Sequence, residues 1–431
     1  MQLSHYLKVF PYEERPGHLL LFSTKKASLL LLKEETFSRI EQGGLSKEGE
    51  ALLAEHAIVV ADREEEKRDM YYRVDRLNAQ GQMMNVCVFL NMDCNFSCIY
   101  CYEGGLKGKH YMSGETAGLL VDFIKKNFTP AMKRINLDFY GGEPLLSLGL
   151  IKDISRELKN FVEDRGAAYS FSLVTNGSLF NRQVALELKA LGLKGLKVTL
   201  DGPAEVHDKC RPFKSGAGSF ETIIRNIKET CDVVGIGVGG NFDRKNYGSF
   251  PSLLDYLVKE GLTPGKVRQV KFDPVAKRFP EDTAPADYAD GCMSVSEPWL
   301  LEAGLMLRED ILKRGYFTPK PTPLPCQVEI GNYYSIDYDG TLYKCPAFIG
   351  RKDFAIGSLM GGVADPHNAY KAGIWKNSEC LECVYLPLCF GGCRYFAYLS
   401  TGNVSNRDCK RPYFDAVLET VLRQDIRYRH T

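Results

Sequence analysis

Apolar positions between residues 84 and 274 fall into six short runs separated by longer amphipathic stretches. Such alternation predicts successive βαβ units, and therefore an α/β fold with a parallel sheet or partial barrel. In such folds functional residues gather at the carboxyl ends of the strands. The strands are predicted at 85–90, 135–140, 169–174, 196–200, 234–241 and 269–272. Helices are predicted at 113–127, 150–164, 183–191, 220–231, 250–260 and 300–314.

The first 70 residues follow a different pattern. Short apolar runs at 18–23 and 27–32 are followed by amphipathic stretches at 34–40 and 51–60, which predicts a small winged-helix-like unit of sheet and helix. The charged segment 62–69 is predicted to be a solvated linker or helix. We therefore place the first domain boundary near residue 70.

Composition narrows the class of protein. A chain of 431 residues predicts two or three domains, and a net charge of +1 provides no field to steer a nucleic acid. No apolar run approaches the ~20 residues of a membrane span, and the sequence shows no export signal. We expect a cytoplasmic protein without nucleic-acid or membrane partners. The 14 cysteines then indicate metal binding, because thiols in the cytosol stay reduced.

The first cysteine motif directly follows the first predicted strand. Cys94, Cys98 and Cys101 form the pattern C-x3-C-x2-C. A 4Fe-4S cluster normally takes four thiolates, so three cysteines would leave one iron open for another ligand. Zinc is the alternative, but a structural zinc site needs four protein ligands, and His110 is the nearest further candidate.

This motif, with Tyr100 before its last cysteine, resembles the signature of the radical S-adenosylmethionine (SAM) superfamily. The resemblance implies that the three cysteines hold a 4Fe-4S cluster whose open iron binds the methionine part of SAM, with Tyr100 near the adenine. It also implies that the cofactor supplies a 5'-deoxyadenosyl radical while the protein supplies positioning.

Three later motifs resemble SAM-binding motifs of that superfamily, and each follows a predicted strand. Singly, each is also the sequence of an ordinary turn. By the resemblance, the first would hold the SAM ammonium group, and the third its carboxylate or ribose. The residues carried over are Gly141, Gly142, Glu143 and Pro144 of the first motif, Asn176 of the second, Thr199 and Asp201 of the third, and Arg211 just beyond.

The second cysteine array lies in the last quarter of the chain, and its spacing resembles the seven-cysteine pattern of SPASM domains. The resemblance implies two auxiliary 4Fe-4S clusters, hence three clusters in all; a zinc ribbon is the alternative. Cys292 is a candidate fourth ligand of the first auxiliary cluster or a free thiol. The implied ligands are Cys326, Cys345 and Cys393 for the first auxiliary cluster, and Cys380, Cys383, Cys389 and Cys409 for the second.

SPASM proteins modify peptides, and the sequence distinguishes among them at one position. Sulfatase-maturing members carry an acidic base soon after the second cysteine of the array, whereas here no carboxylate follows Cys345 until Asp353. We therefore favour a maturase of ribosomally made peptides that forms cysteine thioethers, similar to sactipeptide, ranthipeptide or geopeptide maturases. Oxidative or decarboxylating modification without a thioether is the alternative, and a non-catalytic iron-sulfur scaffold is another. No catalytic residue is assigned beyond the cluster.

The resemblance also implies how the chain divides into domains. We expect leader-peptide recognition at 1–70, a partial (β/α)6 TIM-like barrel at 84–285, a linker at 286–320 and a SPASM domain at 321–431. A leader peptide would add as a strand to an exposed edge, with 18–23 and 27–32 as candidates. Expected partners are a ribosomal precursor peptide and a flavodoxin or ferredoxin reductant.

Overall fold

The computed structural model describes residues 1–277, 289–364 and 370–428. These residues divide into two compact units, each assembled from separate stretches of chain. The first unit contains 1–80, 320–331 and 371–426, and the second contains 81–319, 332–370 and the residues from 427 onward. Within the described ranges, no helix is long and apolar enough to cross a membrane.

The first unit begins with two antiparallel sheets and four helices. Its strands are β1 (Gln2–Leu3), β2 (Leu7–Pro11), β3 (His18–Ser23), β4 (Ser28–Lys33) and β5 (Val59–Val60). Its first helices are α1 (Glu34–Glu41), α2 (Lys47–Glu55), α3 (Arg63–Tyr71) and α4 (Arg73–Gln80). β3 is the central strand between β2 and β4, and β1 pairs with β5. Strand β3 is therefore wrong as a candidate edge, whereas β4 lies at an edge of this sheet.

Two local predictions in this unit need correction. The stretch 51–60 is not one amphipathic element, because Ala57 adopts a positive φ of 53° between α2 and β5. The charged stretch 62–69 was predicted to be a solvated linker or helix, and it is a helix, which Asp62 caps by accepting from the backbone of Glu64 and Glu65. Glu66 is buried rather than solvated, since it accepts hydrogen bonds from Ser4 Oγ (2.8 Å) and His5 N (2.9 Å).

The second unit is built on a parallel sheet, which confirms the predicted α/β partial barrel. Six strands lie side by side in chain order: β6 (Met83–Phe89), β7 (Arg134–Tyr140), β8 (Ala168–Thr175), β9 (Leu193–Thr199), β10 (Gly235–Phe242) and β11 (Val267–Pro274). The helices of this unit are α5 (Gly114–Asn127), α6 (Leu148–Glu163), α7 (Arg182–Ala190), α8 (Ala204–Cys210), α9 (Phe220–Thr230), α10 (Phe250–Lys259) and α11 (Pro298–Lys313). Each predicted strand and helix of this region is present.

Alternation along the strands gives the sheet two different faces. Ile135, Leu137 and Phe139 of β7 are buried in the core, where apolar residues of the helices are also buried. Asn136 and Asp138 point to the opposite, inner face, where they accept hydrogen bonds from serines of β8. Apolar side chains therefore cover the face of the sheet that packs in the core, whereas polar side chains cover its inner face.

The sheet continues past the six barrel strands with residues from late in the chain. β12 (Tyr333–Ile336) pairs in parallel with β6, and β13 (Thr341–Tyr343), β14 (Gly357–Ser358) and β15 (Gly362–Val363) follow as antiparallel strands. The later helices are α12 (Ser378–Leu381), α13 (Leu386–Cys389), α14 (Arg394–Thr401) and α15 (Arg411–Tyr428). The pairing of β12 with β6 was not predicted, because it joins segments far apart in sequence.

Candidate cofactor site

The loop after β6 carries the first cysteine motif. Cys94 is 5% exposed, and its sulfur lies 3.4 Å from the backbone nitrogen of Phe96 and 3.8 Å from Nδ2 of Asn176. Burial raises the pKa of the Cys94 thiol to about 11 and also raises that of Cys101. Such thiols become anionic when a metal or a cation compensates the charge, so the loop suits metal binding coupled to loss of protons.

Lys107 provides a cation beside this loop. Burial lowers the pKa of its ammonium group, but the nearby sulfurs of Cys101, Cys94 and Cys98 outweigh burial and raise it. Its Nζ also lies 3.4 Å from the carbonyl oxygen of Phe96. Sequence reasoning missed this residue, although a lysine six positions after a predicted ligand was a usable signal.

The two glycines of the next motif bring the end of β7 against the cysteine loop. A Cβ on Gly142 would meet Asp93 O at 2.1 Å, and one on Gly141, whose φ is +139°, would meet Asn91 O at 2.5 Å. The backbone nitrogen of Gly142 donates to Asn91 O (3.0 Å), and that of Glu143 donates to Asp93 O (2.8 Å). Only glycine permits this close approach of two loops.

The Glu143 side chain connects this motif to the one after β8. Its buried carboxylate accepts hydrogen bonds from Leu145 N (3.0 Å), Thr175 Oγ1 (2.7 Å) and Asn176 N (2.8 Å). Burial raises the pKa of this carboxyl group. Asn176 in turn donates to Asn95 Oδ1 (2.8 Å) in the cysteine loop. The Glu143 carboxylate thus positions the loops, while Pro144 is buried behind it.

A second network joins Tyr100 to the later motifs. The Tyr100 hydroxyl donates to the Asp201 carboxylate and accepts from Arg211 Nη1 (2.6 Å) and Asn241 Nδ2 (3.0 Å). Burial raises the pKa of both Tyr100 and Asp201. Thr199, at the end of β9, is 9% exposed. The predicted residues Tyr100, Asp201 and Arg211 therefore meet at one place, and Asn241 is an addition that its position near the end of β10 could have indicated.

His207 supports this network by a hydrogen bond to the backbone of Asp201. Its Nδ1 accepts from the backbone nitrogen of Asp201 (3.1 Å), so Nε2 carries the proton and faces Ser219 Oγ at 3.1 Å. Ser219 Oγ then donates to the carbonyl oxygen of Arg211 (2.7 Å). This chain of hydrogen bonds fixes the backbone on both sides of α8.

Three buried polar atoms around the cysteine loop lack a hydrogen-bond partner among the described residues: Asn91 Oδ1, Glu103 Oε1 and Arg211 Nε. Native proteins rarely leave such atoms unpaired, so they indicate a missing polar ligand. Together with three thiols and the Lys107 cation, they fit a cluster and its polar cofactor. The cysteines would hold the cluster, and the surrounding polar groups would hold SAM.

Four cysteines of the second array line one cavity in the first unit. Cys380, Cys383, Cys389 and Cys409 surround a space of about 480 Å³ that is partly open to solvent. Arg407 lines the same cavity, and its Nη1 lies 3.4 Å from the sulfur of Cys380. Four thiols around one space match the number of ligands that a 4Fe-4S cluster takes. Among the described residues, no three His, Cys, Asp or Glu side chains lie close enough together to hold a single metal ion.

The other predicted cluster ligands lie in different places. Cys326 and Cys393 belong to the first unit; burial raises the pKa of Cys326 to about 11, and the charge of Cys393 contributes to this. Cys345 belongs to the second unit, where it is buried at the end of β13. Cys292 is exposed and lies near Lys271 of β11. Their assignment to the first auxiliary cluster stays a prediction.

Comparison with known proteins identifies the kind of domain in which this site lies. Residues 90–243 match the family model of the radical SAM superfamily. Fe-coproporphyrin III synthase of Methanosarcina barkeri is 32% identical over 39% of this chain, and the match spans 39% of that protein's length. A cysteine-type anaerobic sulfatase-maturating enzyme of Clostridium novyi is 24% identical over 70% of this chain and 85% of its own length.

A solved structure shares the fold over nearly the whole chain. SuiB of Streptococcus suis, solved with S-adenosylmethionine and with the precursor peptide SuiA, is 14% identical in the peptide complex. That complex superposes with a TM-score of 0.55 and covers 95% of this chain and 99% of SuiB. The family match spans the cysteine loop and the later SAM-motif residues. Residues 90–243 of this chain are therefore a radical SAM domain, and members of that superfamily use S-adenosylmethionine and a 4Fe-4S cluster.

Proposed function

We propose that this protein is a radical SAM maturase that forms cysteine thioether crosslinks in a ribosomally made peptide. When bound, SAM and its cluster supply a 5'-deoxyadenosyl radical that abstracts hydrogen from the substrate. The observation that carries the proposal is the cavity of Cys380, Cys383, Cys389 and Cys409. A second cysteine-bound cluster beyond the radical-forming one is typical of SPASM proteins, which act on peptides.

The antiparallel sheet of the first unit supports a peptide substrate. β4 pairs with β3 on one side only, which leaves its other edge without a strand partner among the described residues. An extended peptide can add to such an edge through backbone hydrogen bonds. SuiB, which shares this fold, binds a precursor peptide. We therefore assign leader recognition to the edge of β4.

The residues after Cys345 favour thioether formation over sulfatase maturation. Pro346 occupies the next position, and Asp353, the first carboxylate beyond it, is exposed on a short helical turn. An exposed carboxylate is not positioned to take a proton from a substrate held inside the protein. In the thioether reaction a cysteine thiol of the peptide would lose its proton to solvent, its sulfur would bond to the carbon radical, and the surplus electron would pass to an auxiliary cluster.

Iron content and SAM cleavage test the cofactor part of the proposal. After anaerobic reconstitution we expect about twelve irons per chain, three clusters of four. With dithionite, or with flavodoxin or ferredoxin as the proposed physiological reductant, we expect 5'-deoxyadenosine by mass spectrometry. Replacing Cys94, Cys98 and Cys101 together by Ala should abolish 5'-deoxyadenosine while about eight irons remain. Continued SAM cleavage by that variant would contradict the cluster assignment.

The thioether itself is tested on a cysteine-containing precursor peptide. A thioether removes two hydrogens and makes the cysteine unreactive toward iodoacetamide. We therefore expect the peptide to lose two hydrogens and to lose alkylation at the same cysteine, as mapped by tandem mass spectrometry. The C. novyi relative makes sulfatase-type maturation the second candidate, and it predicts instead an aldehyde that reacts with hydrazides. An aldehyde product would overturn the thioether proposal in favour of that candidate.

A further inference from the structure

The inner face of β9–β11 carries two lysines that share one carboxylate. Lys197 Nζ lies 3.5 Å from Asp273 Oδ2, and Lys271 Nζ lies 2.6 Å from Asp273 Oδ1. The side chains of Lys197 and Lys271 are 46% and 47% exposed, so they remain accessible on this face. One carboxylate cannot neutralise two ammonium groups, and the cluster retains a net positive charge.

Glycines on β10 make room for these cations. A Cβ on Gly239 would lie 2.2 Å from Cε of Lys197, so the lysine stem crosses the strand where a side chain is missing. A Cβ on Gly235 would similarly lie 3.1 Å from Cδ of Arg268, at the irregularity where β10 and β11 shift register. The missing side chains therefore let cations from two neighbouring strands lie over β10.

These side chains border a cavity of about 690 Å³ that opens to solvent. Three cations, Lys197, Arg268 and Lys271, line it together with small and polar residues such as Ser172 and Gln269. The apolar residues Leu173, Val174, Leu196 and Val238 complete the lining. The lining reaches from the middle of β8 to the start of β11, whereas the Tyr100 and Asp201 network lies at the carboxyl ends of the strands. The cavity is thus separate from the predicted SAM-binding residues, and its residues from β10 and β11 lie mainly in the first halves of those strands.

We infer that this cavity binds the carboxylate of an acidic side chain, Asp or Glu, of the substrate peptide. The inference rests on the proposed peptide substrate and names its chemical class. A carboxylate replaces Asp273 as the partner of one lysine and accepts a charge-assisted hydrogen bond from it. Asp273 contacts both ammonium groups, so it is the carboxylate with which the peptide competes.

Protection of the lysines from acetylation tests the inference without depending on catalysis. The reconstituted protein, without reductant, is treated with an acetylating reagent in the presence of short amidated peptides that contain Cys and either Glu or Gln. We expect the Glu peptides to slow acetylation of Lys197 and Lys271 about threefold or more, because each ammonium group then has a carboxylate of its own instead of sharing Asp273. Lys259, exposed on α10, is the internal reference and should not change.

Asp273→Asn distinguishes a ligand site from a structural ion pair. Removing the competing carboxylate should lower the concentration of Glu peptide needed for protection about tenfold, as expected for one hydrogen bond to a charged group. Lys271→Met should abolish protection at Lys197 by the same peptide or weaken it about tenfold. A structural role instead predicts that Asp273→Asn weakens the fold and leaves both peptides equivalent.

Three outcomes would overturn the inference. These are equal acetylation with Glu and Gln peptides, protection by SAM alone, and unchanged protection in Lys271→Met. Protection by SAM would assign the lysines to the methionine carboxylate instead. Failure of the proposed function is separate, because it appears as absent 5'-deoxyadenosine or an unmodified peptide when reductant is added, whatever the acetylation pattern.

Discussion

His207 is a buried imidazole whose charge state links pH to stability. Burial, with a contribution from Arg211, lowers its pKa from 6.5 to about 3. The folded protein therefore keeps His207 neutral where the unfolded chain protonates it. Because the unfolded state binds more protons between these two pKa values, stability is lost as pH falls from 6.5 towards 3.

We expect His207→Gln to remove this loss, since glutamine has similar hydrogen-bonding atoms but does not titrate. Between about pH 7.5 and about pH 5.5, the wild type should lose about 1.4 kcal/mol more unfolding free energy than the variant. Urea unfolding of both proteins at the two pH values measures the difference, and other titrating groups cancel in it. If the unfolding free energy falls by the same amount in both proteins, His207 is protonated in the folded state as readily as in the unfolded chain.

Arg407 is placed to tune the proposed second auxiliary cluster. Its guanidinium lies 3.4 Å from the sulfur of Cys380 and pairs with Glu379 at 2.7 Å. Hydrogen bonds to sulfur and nearby positive charge both raise the reduction potential of an iron-sulfur cluster. Arg407→Met should therefore lower the midpoint potential of this cluster without loss of iron, as followed by a redox titration with electron paramagnetic resonance.

Arg407→Lys keeps the charge but replaces the planar guanidinium, so its potential should lie between those of the wild type and Arg407→Met. A potential in Arg407→Met equal to that of the wild type, with full iron content, would mean that Arg407 does not contact the cluster.

At the scale of elements, the loops after β6 and β7 depend on the absence of a side chain. We expect Gly142→Ala to separate them, because its Cβ would overlap Asp93 O at 2.1 Å. The variant should lose the radical-forming cluster, about four irons per chain, together with 5'-deoxyadenosine formation. Iron analysis after reconstitution is the measurement.

Gly149→Ala is the matched control. Gly149 lies in α6, and a Cβ there would meet nothing within 4 Å. Gly149 is the second residue of α6, where alanine fits the helix without a clash, so this variant should be as stable as the wild type. Full iron loading of Gly142→Ala would show that the two loops can move apart without harm.

Local patterns predicted the barrel elements because their apolar spacing is set by the core that they form. Non-local features were less accessible. β12 is a four-residue strand, and nothing in its sequence specifies β6 as its neighbour. Glu66 reads as a solvated charge, and only the fold brings Ser4 and the backbone of His5 to its carboxylate.

In the candidate site, too, local patterns were predictable from the sequence and non-local contacts were not. Cysteine spacing and strand-end motifs led to the thiols and to Tyr100, Asp201 and Arg211. His207 was noted only as part of a motif, and its tautomer follows from a contact with Asp201 that exists only in the folded chain. Lys197 and Asp273 lie on β9 and β11, which β10 separates, so no sequence pattern joins them.

At the scale of the whole molecule, the first unit joins distant segments through a buried ion pair. Arg394 Nη2 contacts Glu329 Oε1 at 2.5 Å, and both side chains are almost completely buried. Glu329 Oε2 also accepts from Gly373 N (2.8 Å) and Trp375 Nε1 (3.3 Å). The pair therefore fixes the segment just after Cys326 against the residue that follows Cys393.

Arg394→Met should destabilise this unit by about 3–5 kcal/mol, because it leaves a buried carboxylate without its partner. Chemical unfolding followed by circular dichroism measures the loss. Lys376→Met breaks the exposed pair with Asp75 in the same unit and should cost at most about 1 kcal/mol. If the two variants lose equal stability, the Arg394–Glu329 pair does not hold these two segments together.

The pairing of β12 with β6 has a consequence for biosynthesis. A ribosome that has released β6 to β11 has made the whole barrel except the strand that covers the β6 edge. That edge stays without its native neighbour until residues 333–336 emerge, and unpaired strand edges promote aggregation of nascent chains. Translation stalled or terminated before this point should therefore yield insoluble protein, and chaperone demand during synthesis should fall once β12 has been made.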